Sequence, residues 1–324
     1  MNVMFTERIN MYSHVKWFAK DSQVIPQPMA EVITPSFLFW FGFTVLVLLC
    51  SAYFHDYLER MPMVKRIHKW LNLFKPHRQL ILRIGLGLGL LLQLYTNTYL
   101  SPEFTPESDL VYLLLIGATL GLLHSKTLMI SSFSLFLLYT HATLQYGIFH
   151  TIDYLFYPGI VYYLSVCTTG LRATAAPVLY VSTGISLAWL AMEKLTISNL
   201  AYSLIYDYNI PTMGFTVENF VIISAFIELG LAWTFIVGIM NRFTALVLTG
   251  VFLMTTMVFG IKEIIGHTII HTLLLMFLIE GSGEYKTPFQ FHRSPVLRSL
   301  FVTVNFCIFL FALMALYVWM GHAY

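Results

Sequence analysis

Ten apolar runs restrict what this chain can fold into. A helix needs about 17 to 25 mostly apolar residues to cross the hydrocarbon core of a bilayer, and each run reaches or approaches that length. The runs lie at 35–54, 80–100, 109–124, 127–146, 152–170, 175–193, 217–240, 243–261, 265–280 and 299–320. The sequence therefore predicts an all-α protein, a polytopic membrane helix bundle of ten transmembrane helices.

Composition supports a lipid bilayer as the partner and argues against nucleic acid. Hydrophobic residues make up 58% of the 324 residues and charged residues 10%, whereas a soluble domain carries about a quarter charged residues. The net charge of +2 is too small for a surface that binds a phosphate backbone. Residues 1–33 lack a continuous apolar segment and contain Pro26 and Pro28. We therefore expect no cleavable signal peptide, with the first span acting as the insertion signal.

The lysines and arginines predict the orientation of the bundle. If the link 55–79 is cytoplasmic, twelve of them fall on that side and five on the other, as the positive-inside rule requires. The twelve are Arg60, Lys65, Arg66, Lys69, Lys75, Arg78, Lys126, Arg172, Arg242, Lys286, Arg293 and Arg298. The five are Arg8, Lys16, Lys20, Lys194 and Lys262. We expect an integral protein of a bacterial inner membrane with both termini on the outer side.

Two links have helical character of their own. The link 55–79 mixes basic and apolar residues, which is typical of an amphipathic helix on an anionic membrane surface; docking to a protein is the alternative. The link 196–216 combines Leu200 and Leu204 with tyrosines, and these residues lie ahead of Pro211 within the same link. This pattern predicts a half-buried or re-entrant helix that either covers a ligand pocket or caps the bundle.

An internal repeat organises the spans. The segment YGIFHTIDYLFYPGIVYYL closes one set of four spans, and FGIKEIIGHTIIHTLLLMFL closes the next. We expect an N-terminal outer segment with the first transmembrane helix and the basic amphipathic helix (1–79), a first four-helix unit (80–170), a second four-helix unit (171–286) and a closing transmembrane helix (287–324). Because each unit has an even number of spans, the two units insert in parallel.

The outer third of the predicted bundle gathers most of its intramembrane titratable groups. His267 and His271 are four residues apart and share one helix face, while His141 lies at a similar depth on another helix. Polar groups in lipid are costly and are therefore functional candidates. We expect these imidazoles to converge in a shared pocket at the outer side.

A metal or haem centre is one interpretation of the histidines. Imidazole ligates Zn, Cu and Fe, so the candidate metal ligands are His141, His150, His267 and His271. Facing histidines at matched depth would suit haem b. The chain has neither HExxH nor CxxCH, so no ligand motif supports this reading.

A quinone site is the second interpretation. A histidine and a carboxylate would exchange protons with the ring oxygens while aromatic side chains hold the ring. The candidate catalytic residues are Glu228, Glu263 and His267. The candidate cofactor-binding residues are His141, His271, Tyr146 and Trp189.

Structural roles are the third interpretation. The histidines would bond between helices and the aromatics would form an interfacial belt. Glu228, near the middle of its span, would then be neutral and bonded to a hydroxyl such as that of Ser224 or Thr234. The three cysteines form no CxxC motif and lie toward the cytoplasmic ends of their spans, which excludes a thiol relay at the outer surface.

The second unit resembles the DoxX/DoxD-like integral membrane family over about 178–286. The matching features are Lys194 at the end of an early helix, Glu228 with Gly230 ahead of a basic turn at Arg242, and the tail Gly281-Ser-Gly-Glu-Tyr285. The first unit lacks the glutamate. Members of that family include a membrane subunit of a thiosulfate:quinone oxidoreductase, so the resemblance implies redox work at the outer face.

These observations favour a membrane-embedded redox subunit that handles a quinone, haem or metal at the outer, periplasmic face. We expect it to act with a membrane or periplasmic protein partner. A transporter of a small solute or lipid, using the repeat interface and Glu228, is the first alternative. A non-catalytic assembly subunit is the second.

Overall fold

A computed structural model describes residues 25–281 and 286–323. Within these ranges the chain is helical and forms no β-strand. The α-helices are α1 (Met29–Val32), α2 (Pro35–Arg60), α3 (Pro62–Asn72), α4 (Arg78–Tyr95), α5 (Asp109–Gly121), α6 (Leu128–Tyr146), α7 (Ile148–Thr151), α8 (Phe156–Val166), α9 (Arg172–Thr196), α10 (Ser198–Asp207), α11 (Val217–Val237), α12 (Asn241–Phe259), α13 (Ile261–Glu280) and α14 (Pro295–Ala323). Short 3-10 turns at Lys75–His77, Ser125–Thr127, Ile152–Tyr154 and Pro288–Phe291 join some of them.

Seven helices in the described ranges are long and apolar enough to cross a membrane, namely α2, α6 with the turn before it, α9, α11, α12, α13 and α14. The chain is therefore an integral membrane helix bundle. The other three predicted spans are shorter than expected: α4 has 18 residues, α5 has 13 and α8 has 11. The residues after α4 and before α8 fold as buried loop and turn instead of helix, whereas the run of α5 ends in an exposed turn at Leu123.

The ends of successive helices meet at two opposite faces of the bundle. At one face the Gln27 amide donates to the Thr196 carbonyl over 2.8 Å. At the other, the Tyr180 hydroxyl donates to the Gly281 carbonyl over 2.7 Å. Following the predicted orientation, we call the first face the outer end and the second the inner end.

Eight helices form a closed circuit of packed neighbours. Along the chain α4 packs on α5, α5 on α6 and α6 on α8; α8 then packs on α9, α9 on α11, α11 on α12 and α12 on α13. The last of these, α13, packs back on α4. The contacts that close the circuit, α8 with α9 and α13 with α4, both join the first half of the chain to the second.

Both of these closing contacts depend on a glycine. Gly85 on α4 faces Thr272 on α13, and Gly159 on α8 faces Ser182 on α9. In each case a Cβ on the glycine would overlap the neighbouring side chain. Small residues at such positions let two helix backbones approach closely, and dispersion contacts then hold the helices together in lipid.

The same backbone turn occurs at the outer end of α6 and of α12. Gly147 follows α6 with φ +85°, and Gly260 follows α12 with φ +71°. The amide of Gly147 donates to the Thr143 carbonyl and that of Gly260 to the Thr256 carbonyl. Glycine adopts positive φ without the steric cost of a Cβ, so each glycine ends one helix and allows the next to start at once.

The remaining long helices, α2 and α14, pack against each other on the second half of the circuit. α2 contacts α11, and α14 contacts α9. The Trp233 indole donates to the Val302 carbonyl over 3.0 Å, and Arg298 pairs with Asp56 near the inner end. The two flanking helices predicted from the sequence therefore lie side by side.

Both predicted link helices are present. α3 lies within the basic link and leaves Met63, Trp70 and other apolar side chains exposed. α10 lies within the link 196–216 and buries Leu200 and Leu204, ending before Pro211 as expected.

Candidate functional site

A buried carboxylate–imidazole pair occupies the first turns of α13 at the outer end. Glu263 Oε1 lies 3.2 Å from His267 Nδ1, and the two side chains are 1% and 5% exposed. The turn at Gly260 starts α13 here, which places Glu263 one helical turn before His267 on the same face. The ring of Phe252 packs on the His267 imidazole with centroids 4.6 Å apart. The pair is therefore held rigidly in an apolar wall.

A small cavity of about 20 Å³ lies next to this pair. It is bordered by His267, by Asp153 and Tyr154 from the turn before α8, and by Ser186 from α9. Because Asp153 is 3% exposed, a second carboxyl group faces the cavity without access to bulk solvent. A cavity needs about 10–15 Å³ to hold one water molecule, so this space accommodates a water but no organic cofactor.

A hydrogen-bonded chain leads from the cavity toward the outer loop 96–108. The Tyr154 hydroxyl donates to Glu103 Oε1 over 2.9 Å and lies 2.8 Å from the Ser101 hydroxyl. Ser101 and Phe104 are fully buried, so this loop is part of the packed interior. The Glu103 carboxylate and the Tyr154 phenol are thus hydrogen-bonded, and Tyr154 and His267 border the same cavity, so a water in that cavity could pass protons between them.

His141 lies in a different setting, on α6. The Tyr99 hydroxyl is 3.0 Å from His141 Nδ1 and donates to Gln145 Oε1 over 3.1 Å. The ring of Tyr146 stacks on Phe104 with centroids 4.3 Å apart and approaches Tyr99 at 6.3 Å. Tyr146 and His141 therefore both contact Tyr99.

The expected shared pocket of His141 and His271 is not present. His271 is one turn from His267, with ring centroids 6.4 Å apart, and its other ring contact is with Phe252. It shares no contact with His141. Nor do the candidate ligands His141, His150, His267 and His271 form a metal site, since no group of three or more His, Cys, Asp or Glu in the described residues is placed to hold an ion. Matched depth does not bring rings together when their helices are not neighbours.

Trp189 has a packing role. Its side chain is 1% exposed, its indole donates to the Phe149 carbonyl over 3.1 Å, and its ring packs on Tyr317 with centroids 4.7 Å apart. The same Phe149 ring contacts His150. Trp189 and His150 therefore belong to an aromatic group between α7, α9 and α14.

Glu228 forms an ion pair with Lys194 across the interface of α11 and α9. The expected partner was a hydroxyl of Ser224 or Thr234, but these bond to backbone carbonyls of their own helix. Glu228 is therefore paired with a lysine of another helix and not with a hydroxyl of its own helix. Lys194 lies in the last turn of α9, and its side chain extends from the outer end of the bundle to Glu228.

Sequence reasoning missed the partners contributed by other elements. Glu103, Asp153, Tyr154 and Ser186 were not singled out, although Asp153 and Tyr154 follow the repeated turn at Gly147. Aligning that turn with Gly260 places Tyr154 at the position of His267, which was the one available signal.

Comparisons with protein-family models, curated proteins and solved structures find no significant match to the chain. The fold defines the class, an integral membrane helix bundle, and the buried titratable residues define the candidate site. The resemblance of 178–286 to the DoxX/DoxD-like family stays a prediction.

Proposed function

We propose that this protein is a proton-handling subunit of a quinone-linked membrane redox system, acting at the outer face. The observation that carries the proposal is the buried Glu263–His267 pair beside a cavity the size of one water molecule. A carboxylate and an imidazole shielded from solvent, with a further carboxyl group at Asp153, can take up and release protons without exchanging them directly with bulk water.

The corner formed by His141, Tyr99 and Tyr146 is the proposed contact for the quinone ring. His141 is half-buried, so its imidazole reaches the bundle surface, and the two tyrosine rings form an aromatic wall beside it. Phe104 packs on Tyr99, Tyr146 and Tyr154. It thereby joins this corner to the chain that leads to His267.

Oxidation of a quinol releases protons together with electrons. In the proposed reaction the protons pass to the Glu103–Tyr154 chain and on to His267 and Glu263. The electrons pass to a partner protein that carries its own redox centre, because this chain supplies acids and bases at the site. The resemblance to the DoxX/DoxD-like family supports the redox assignment independently of the geometry.

Redox-induced infrared difference spectroscopy tests the proposal. The protein in nanodiscs is loaded with a short-chain quinone, which is then reduced. We expect wild-type protein to show a carboxyl C=O band that changes with quinone reduction and that is lost in Glu263→Gln. Glu218→Gln, at an exposed position on α11, is the matched control and retains the band.

Two results would overturn the proposal. The quinone assignment is wrong if added quinone neither quenches tryptophan fluorescence nor raises the Tm. The proton assignment is wrong if quinone binds but the Glu263→Gln spectrum matches wild type.

A proton-coupled carrier is the second candidate function, and the Lys194–Glu228 pair favours it. An intramembrane ion pair between two helices is a candidate site for a proton or a ligand. Uptake of a solute by proteoliposomes, abolished in Glu228→Gln and intact in Glu218→Gln, would support this function over the first.

We further infer that the circuit consists of two parallel four-helix units related by a pseudo-two-fold axis. The matched turns at Gly147 and Gly260 and the matched glycine contacts of α4 with α13 and α9 with α8 support this arrangement. In it α4, α5 and α8 also cross the membrane, giving ten spans, with both termini on the outer side of a bacterial inner membrane.

A further inference from the structure

A second site lies at the inner end, away from the proposed proton chain. A cavity of about 530 Å³ opens where α3, α4, α8, α9 and α13 come together, within the range of about 300–1,000 Å³ typical of small-ligand sites. Its charged lining consists of the cations Lys75, Arg78 and Arg172 and the carboxylate of Glu280. The cations therefore exceed the acids.

Only one of the three cations is neutralised by a described residue. Arg78 Nη1 lies 3.2 Å from Glu280 Oε2, and the Glu280 side chain is 4% exposed. Lys75 and Arg172 form no ion pair with any residue in the described ranges. α9 begins at Arg172 and α4 at Arg78, while α13 ends at Glu280 and α3 at Asn72, so helix dipoles of both signs border the cavity and the excess positive charge comes from the two unpaired cations. The electrostatic environment favours an anion.

The two unpaired cations occupy equivalent positions in the two inferred units. The register that matches Gly85 with Ser182 also matches Lys75 with Arg172. The cavity therefore lies between the units, with one cation supplied by each. An anion bound there would contact both halves of the bundle.

A neighbouring cavity shows what an electrically balanced site looks like. It measures about 620 Å³, shares Asn72, Lys75 and Glu280 with the first cavity, and adds one cation, Arg242, and one acid, Glu59. There His68 Nδ1 is 3.2 Å from Glu59, and Arg242 donates to Asn72 and to backbone carbonyls. Burial lowers the pKa of His68 from its ordinary value, so the ring is neutral at pH 7. This second cavity offers no excess positive charge to an anion.

Exposed apolar side chains lie close to the two unpaired cations along the chain. Leu73 is 68% exposed and lies two residues before Lys75, Leu171 is 59% exposed and directly precedes Arg172, and Trp70 on α3 is 59% exposed. Basic pockets between helices at the cytoplasmic side suit anionic lipid headgroups, and the flanking apolar groups suit acyl chains. We infer that this cavity binds the phosphate group of an anionic phospholipid, held between Lys75 and Arg172.

Binding measurements on the full chain in detergent test this inference. Native mass spectrometry with phosphatidylglycerol and phosphatidylcholine compares an anionic with a zwitterionic lipid, and inorganic phosphate provides the soluble alternative. We expect wild-type protein to retain phosphatidylglycerol selectively. Lys75→Gln/Arg172→Gln should weaken its binding about 30-fold, at about fivefold per cation lost.

Matched variants separate the cavity from general attraction to the membrane. Lys65→Gln/Lys126→Gln removes two exposed cations of the same side and should bind like wild type. Lys75→Arg/Arg172→Lys keeps both charges and should retain binding within a few-fold.

The inference is overturned if the Lys75/Arg172 double Gln variant binds phosphatidylglycerol like wild type, or if the control variant loses binding equally. Equal retention of phosphatidylcholine would also overturn it. Tight, variant-sensitive binding of inorganic phosphate alone would overturn the lipid assignment and identify a soluble phosphate ligand.

Discussion

The environment of an individual residue in this bundle depends on partners that lie far away in the sequence. The spacing of His267 and His271 predicts a common helix face, and their ring centroids lie 6.4 Å apart on α13. Glu228 was predicted either as a proton or substrate group or as a neutral group bonded to a hydroxyl, yet it pairs with Lys194. Sequence spacing describes one helix, whereas such a pair depends on how two helices are rotated against each other.

Breaking the Lys194–Glu228 pair should destabilise the protein. The two side chains are 20% and 14% exposed, so Lys194→Met leaves a largely buried carboxylate unpaired and should lower the free energy of unfolding by about 2 kcal/mol. Lys194→Met/Glu228→Met should be close to wild type because no charge is left alone. Chemical denaturation in micelles measures both, and a double variant as unstable as Lys194→Met would contradict the assignment.

At the scale of elements, the length of an apolar run predicts the length of a helix well only where no turn interrupts the run. α2, α9 and α11 to α14 agree with their runs, but the run 80–100 ends early because the Leu100 amide donates to Gln93 Oε1 over 3.0 Å. Leu100 has φ +60°, a conformation incompatible with continuing the helix. The side-chain bond that makes this turn stable is not visible in a hydropathy pattern.

The two matched glycine turns should respond alike to substitution. Gly260→Ala and Gly147→Ala place a Cβ at positive φ, which should cost about 1–3 kcal/mol each. Nothing lies within 4 Å of a Cβ at Gly260, so this cost is conformational rather than steric.

Gly250→Ala provides the matched control for these turns. Gly250 lies inside α12 with equal space around it, and alanine there should be neutral or stabilise by up to about 1 kcal/mol. Thermal unfolding of the three variants decides the matter, and equal Tm values for Gly260→Ala and Gly250→Ala would refute a strained turn.

At the scale of the whole molecule, the sequence predicts which segments form the helix bundle, but it does not predict that eight of them pack in a closed circuit. The order of apolar runs predicts the flanking helices, which pack on each other, and an internal repeat, which stays a prediction. The packing of α13 back on α4 could not be predicted, because it depends on which small residues face each other in space. The sequence also predicts that the titratable groups gather at the outer end, but its prediction that His141 and His271 share a pocket was wrong. Which helices are neighbours again depends on packing in space.

The predicted orientation can be measured on intact cells. In a background without native cysteines, Glu218→Cys at the outer end should react with a membrane-impermeant maleimide in spheroplasts. Lys126→Cys at the inner end should react only after permeabilisation. The reverse pattern would place the cationic cavity on the outer face and the proton chain on the inner face.

The glycine contacts that close the circuit have a consequence for how such a bundle can change. At one joint Gly85 contacts Thr272, and at the matched joint Gly159 contacts Ser182. In the inferred units the larger residue therefore lies on the last helix at the first joint and on the first helix at the second joint. A homodimer of one half-length chain would have to make both joints identical. Because both halves are encoded in one chain, a substitution at the Gly85–Thr272 contact changes the packing there and leaves the Gly159–Ser182 contact unchanged.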